Sequence, residues 1–201
     1  YEVMANGYIR FDSLLESTPT WRAMQIEILA GQDYMDHLHV PEVQKAVRAI
    51  VAALTSTEGP VSPERLAKVV ASCFGFTRVV ESRIKAINGV GFPDHDTDGI
   101  EQFIFPIGAG PSSYVDWRIS DESSGRKLNE VSIFEIANAM VAIARVAQGV
   151  APEQLIRETS RVFGLQKISK DSSMRLEKAL ALAVQTNRLE QDGYYFKAKD
   201  S

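Results

Sequence analysis

Along the chain, Val43, Val47, Ile50, Val51 and Leu54 fall at i, i+4, i+7, i+8 and i+11, the spacing that lines one stripe of an α-helix. Leu66, Val69, Val70, Cys73 and Phe74 repeat it. Ser62 suits the N-cap of that second helix and Pro63 its first position, where a missing N–H costs nothing, while Gly75 stops it. A third helix is expected from about residue 81 to 88. The period then shifts toward two over residues 100–105, past the turn-forming Asp98-Gly99, which predicts a β-hairpin.

The second half follows the same order. Ser132 and Glu135 have capping-box spacing ahead of Ile133, Ile136, Ala137 and Met140, and Pro152 opens a helix that Gly164 stops. Ser172 or Ser173 is expected to start a long helix with Leu176, Leu180, Ala183 and Val184 on its core side. Asp192-Gly193 then leads to a terminal strand, Tyr194-Tyr195-Phe196.

Laying the segment from Glu58 over the segment from Ala147, an offset of 89 residues, exposes an internal repeat. Val61 meets Val150, Pro63 meets Pro152, Leu66 meets Leu155, Phe74 meets Phe163 and Gly75 meets Gly164. After a short insertion, Arg83-Ile84 aligns with Arg175-Leu176. The expected fold class is therefore mainly α with small β-hairpins (α+β), as two tandem winged-helix-like (helix-turn-helix) repeats. The expected domains are an N-terminal extension (1–42), copy one (43–107), a linker (108–130) and copy two (131–201). Trp117 would anchor the Gly-, Pro- and Ser-rich linker, and Trp21, Met24, Ile26, Ile28 and Leu29 would make the extension pack, strand-like at its end.

With 201 residues, 45% hydrophobic and 24% charged, the chain has room for one large or two small domains and is not a disordered tail. The absence of a long apolar run or a secretory pattern points to a cytoplasmic protein with no membrane partner. One cysteine, Cys73, excludes an internal disulfide, and its place on an apolar stripe marks it as a core residue. The chain opens at Tyr1, as a piece of a longer polypeptide would. The formal net charge of −4 divides unevenly: residues 1–42 carry −5, 43–107 carry 0, 108–130 carry −1 and 131–201 carry +2.

The segments EGPVSPERLAKVVASCFGFTRV, FIFP, WRISDESSGRKLNEVSIFEIANAM and VFGLQKI resemble the C-terminal domain of unknown function of large bacterial superfamily I DNA helicase-like proteins. The likeness runs over roughly residues 38–196. It implies an accessory part of a DNA-processing machine, whose parent carries an ATP-dependent helicase core and often a nuclease-like domain; the parent's other domains would be its partners.

DNA is the expected further partner. In a helix-turn-helix the start of the third helix meets base edges and phosphates, which selects Arg78, Arg83 and Lys85 in copy one and Lys167, Lys170, Arg175 and Lys178 in copy two. Copy two, with its +2 charge, is expected to dominate a weak contact without sequence specificity. The alternative is a docking module for another protein, with no nucleic-acid contact. No cofactor, metal or catalytic residue is expected: the chain has no glycine-rich phosphate loop ending in Lys-Ser or Lys-Thr, and Asp94, Asp96 and Asp98 imitate a calcium loop whose twelfth position is Phe105 in place of the required Glu.

Overall fold

The structure, a computed structural model, describes residues 11–199; the first ten residues of the expected N-terminal extension and the last two of copy two lie outside the described residues. The described residues are mainly helical with one small two-stranded antiparallel sheet, and the chain divides into two compact units. The first unit is Arg22–Ser113; the second joins the residues up to Trp21 to those from Tyr114 onward. No helix among the described residues is long and apolar enough to cross a membrane.

In the first unit the apolar stripe forms α1 (Pro41–Glu58), followed by α2 (Pro63–Cys73) and α3 (Glu81–Asn88). The Ser62 hydroxyl accepts the Arg65 N–H at 3.2 Å, so the predicted cap of α2 is in place. Val47, Val51, Leu54, Leu66, Val70, Phe74 and Ile87 make its core. The chain then returns past α2: Val61 and Ile104 exchange backbone hydrogen bonds, and Thr97 bridges to Ile104.

The second unit contains α4 (Ile133–Ala147), α5 (Pro152–Val162), α6 (Lys170–Gln185), β1 (Leu189–Asp192) and β2 (Tyr195–Ala198). β1 pairs with β2 from Leu189 opposite Ala198 to Asp192 opposite Tyr195 around Gly193. Val150 exchanges both backbone bonds with Phe196, as Val61 does with Ile104. Both units therefore run helix, bridge residue, helix, helix and a returning segment that closes the bridge, a strand in the second unit and an isolated bridge in the first, and Val61 and Val150 are an aligned pair of the repeat.

The repeat also fixes how the middle helices end. The Gly75 N–H reaches the Ser72 carbonyl and the Phe76 N–H reaches that of Ala71; Gly164 and Leu165 bond Arg161 and Ser160 in the same pattern. This is a Schellman ending, which needs a left-handed residue, and the glycines supply it at φ 81° and 72°. Phe74 and Phe163, one residue earlier, are both buried.

Several expectations are corrected. The hairpin expected over residues 100–105 is reduced to bridges, because the Asp98 carboxylate gathers the backbone N–H groups of Ile100, Glu101 and Gln102 and folds the tip into a tight turn. Phe103, Ile104 and Phe105 are all buried, so no period of two survives there. The long helix starts at Lys170 behind Ser169, whose hydroxyl accepts the Ser172 N–H, and not at Ser172 or Ser173. Glu135 makes no capping box; its carboxylate accepts both Arg126 Nη atoms at 2.9 and 2.6 Å and the Arg118 N–H at 3.1 Å.

The domain boundaries shift as well. Residues 22–42 of the expected extension belong to the first unit, and residues 114–130 of the expected linker belong to the second. Each stretch begins as an irregular arm that crosses the end of the middle helix and includes a 3-10 helix, Gln32–His37 in the first and Leu128–Glu130 in the second. The Leu29 N–H donates to Cys73 O at 2.8 Å, and the Ser120 N–H donates to Val162 O at 2.9 Å, on carbonyls 89 residues apart. Each arm also donates an N–H to a buried, arginine-clamped glutamate: Met24 to Glu58, held by Arg65, and Arg118 to Glu135, held by Arg126. Trp117 is buried in the second unit, and Trp21 lies in the same unit with Arg126 over its ring at 5.3 Å.

Candidate nucleic-acid interface

The seven cations singled out by sequence divide by what already holds them. Arg175 lies on α6 with its guanidinium turned inward, donating Nε–H to Leu128 O at 2.9 Å and an Nη2–H to Val131 O. It fastens the third helix to the segment that leads into α4, so it is a packing residue of the second unit. Arg83, its aligned counterpart, sits half-buried over the Phe76 ring at 3.8 Å. Lys85 is exposed but pairs with Glu81 one turn back at 2.8 Å.

The other four are free of such contacts. Arg78 is exposed ahead of α3, and Lys167, Lys170 and Lys178 are exposed on the turn before α6, at its first residue and two turns further along. None of the four has an ion-pair or hydrogen-bond partner among the described residues. Lys167 and Lys170 lie at the positive end of a sixteen-residue helix, where the dipole and the unbonded N–H groups of the first turn add to the field they create, and Lys178 follows two turns along. Asp171 and Glu177 on the same helix offset part of it. No family model, curated protein or solved structure matches the chain.

The hairpin beside α6 offers less charge than its sequence promises. Lys197 pairs with Asp192, raising the lysine and lowering the aspartate from their ordinary values, and Lys199 lies 3.6 Å from Glu190. At the tip, Tyr194 and Tyr195 are exposed with their rings at 5.7 Å, edge to face. The Tyr194 hydroxyl donates to Glu153 Oε2 at 2.6 Å, which fastens the tip to the start of α5 and leaves Tyr195 as its outward aromatic face.

Neither aspartate nor histidine clusters build a metal centre: no group of three or more His, Cys, Asp or Glu among the described residues could hold an ion. Cys73 is buried in the first unit, and that burial pushes its thiol up, away from the thiolate a nucleophile needs. What the exposed lysines can do chemically is neutralise phosphates. Sequence alone could not separate them from Arg175 and Arg83, because both groups occupy the same stretch of third helix.

Proposed function

We propose that this chain is a non-catalytic accessory module, two winged-helix-like units in tandem, that holds nucleic acid weakly through the start of α6. The observation that carries this reading is that Lys167, Lys170 and Lys178 are exposed and have no acidic partner among the described residues. Its architecture is supported by the shared element order and by the equivalent Val61–Ile104 and Val150–Phe196 bridges. The resemblance to the C-terminal domain of superfamily I DNA helicase-like proteins supplies the setting, in which the module positions DNA for the parent's motor.

Three phosphate contacts give a shallow, salt-sensitive affinity of about 10⁻⁴ to 10⁻⁶ M, the range of non-specific binding. Anisotropy titrations with duplex, forked and single-stranded DNA at several salt concentrations test this. Replacing Lys167, Lys170 and Lys178 with Ala should flatten the slope of log K against log salt by roughly one unit per lost contact. A second reading is favoured by Met174 and Val184, exposed apolar residues on the same helix: a protein partner seated on α6. Absence of DNA binding even at low salt overturns the first reading in favour of the second.

A further inference from the structure

Away from the α6 lysines, the second unit has a cavity of about 460 Å³ whose wall joins the segment before α4, the C-terminal half of α4 and the start of the hairpin. Its charged lining residues are Arg145, Arg188 and Lys199, and no carboxylate side chain is among the described residues that line it. Val115, Trp117 and Val141 supply an apolar side. Three cations lining one apolar-walled space repel one another, yet two of them, Arg188 and Lys199, are tied in place there.

Arg188 is held. Its Nε–H donates to Thr186 Oγ1 at 3.0 Å and its Nη1 to the Asn138 side-chain oxygen, which leaves Nη2 uncommitted. Asn138 is itself buried, and its amide donates to Tyr114 O and Asp116 O, both at 2.9 Å. Every polar atom of that carboxamide is thus spent on fixing the guanidinium from behind, the arrangement by which sites fix a binding group before the ligand arrives.

The rim adds a second sign of construction. The chain leaves α6 by the same Schellman pattern as the two Phe-Gly helices, with the Asn187 N–H on Val184 O and the Arg188 N–H on Ala183 O. The left-handed residue here is not glycine but Asn187, at φ 59°. Glycine would serve the backbone at lower cost. Asparagine instead sets a carboxamide on the cavity wall, where its oxygen accepts Lys199 Nζ at 2.6 Å and holds that ammonium at the mouth, with the Glu190 carboxylate 3.6 Å away. Arg145 is exposed there with no partner among the described residues.

We infer that this cavity binds a phosphomonoester with an aromatic or apolar body, about the size of a nucleoside monophosphate. A dianionic head matches Arg188 and Arg145 with Lys199 at the mouth, since a guanidinium presents a fork that fits phosphate oxygens. The body lies along Val115, Trp117 and Val141. The volume is within the range of small-molecule sites and exceeds what a bare phosphate fills.

Calorimetric titration of the whole chain with phenyl phosphate, adenosine monophosphate, inorganic phosphate and benzoate tests the assignment. Phenyl phosphate and adenosine monophosphate should bind more tightly than inorganic phosphate, and benzoate more weakly than either; shifts of the Trp117 indole N–H resonance should accompany binding. Arg145→Ala, at an exposed position that no fold contact depends on, should weaken phenyl phosphate by roughly tenfold. Arg188→Lys keeps the charge but loses the fork, and should weaken it as well, with circular dichroism confirming that the unit stays folded. Lys167→Ala should leave it unchanged, which separates this site from the α6 lysines. No saturable binding at low millimolar concentration, equal affinity in Arg145→Ala, or benzoate exceeding phenyl phosphate would overturn the proposal.

Discussion

Replacing Gly75 and Gly164 with alanine asks one question of two sites that the repeat makes equivalent. Both glycines are left-handed, both follow a buried phenylalanine, and both close a Schellman turn, so the backbone strain of adding a Cβ is shared at about 1–2 kcal/mol. Their surroundings differ. A Cβ on Gly75 would meet nothing nearer than Gln32 Cγ at 3.9 Å, an ordinary van der Waals contact. On Gly164 it would stand 2.6 Å from the Ser120 carbonyl oxygen, and that oxygen belongs to backbone already tied by the Ser120 N–H to Val162 O.

The arm must therefore lift, which adds overpacking of about 1–3 kcal/mol and threatens the bond to Val162. Gly164→Ala should lose about 2–5 kcal/mol against about 1–2 kcal/mol for Gly75→Ala. Both tryptophans of the chain, Trp21 and Trp117, belong to the second unit. Urea unfolding followed by tryptophan fluorescence reads Gly164→Ala directly, while far-ultraviolet circular dichroism reads Gly75→Ala. Equal losses at the two positions would refute the close approach of the Ser120 carbonyl.

Phe74→Ala and Phe163→Ala should each cost about 3–5 kcal/mol in the same denaturation assay, because each empties a buried site behind its glycine. Arg126→Met should cost about 3–5 kcal/mol by stranding the fully buried Glu135 carboxylate, whereas Lys85→Ala, which breaks an exposed pair with Glu81, should change stability by less than about 0.5 kcal/mol. Burial, with the Glu135 charge beside it, pushes the Tyr114 phenol up to about 12 from its ordinary 10.0. Because folding favours the neutral phenol, its contribution is intact below pH 10 and is lost as pH rises toward about 12, at about 1.4 kcal/mol for each tenfold fall in proton concentration. Phenolate absorbance titration should show a phase that rises toward pH 12, and Tyr114→Phe should remove it.

The helices were legible because their information is periodic. Val43 to Leu54 and Leu66 to Phe74 mark a stripe without reference to anything distant, and the Phe-Gly pairs mark where it stops. The arms were not legible, since Leu29 and Ser120 are placed by main-chain N–H groups that any residue but proline provides. Glu135 shows how a local rule loses to a distant partner: its spacing from Ser132 suits a capping box, but Arg126 claims the carboxylate. The candidate interface was half legible for the same reason. Lys167, Lys170 and Lys178 are free as their exposure demands, but nothing in the sequence reveals that Arg175 reaches back to Leu128 and Val131. Arg145, Arg188 and Lys199 escaped notice because only the fold brings them to one cavity.

Thr20 bridges to Ile119, and the Trp21 N–H donates to Ile119 O at 2.8 Å, so the second unit is stitched across the whole sequence of the first. During synthesis the residues up to Trp21 emerge long before their partners do. Joining them through an unfolded intervening chain closes a loop of about a hundred residues, whose entropic cost grows as the logarithm of its length. Folding of Arg22–Ser113 as a compact unit first replaces that flexible stretch with a folded body and reduces the chain entropy lost in the later step. With the continuous unit folding ahead of the discontinuous one, damage to the core around Phe74 would slow the assembly of a unit that does not contain it.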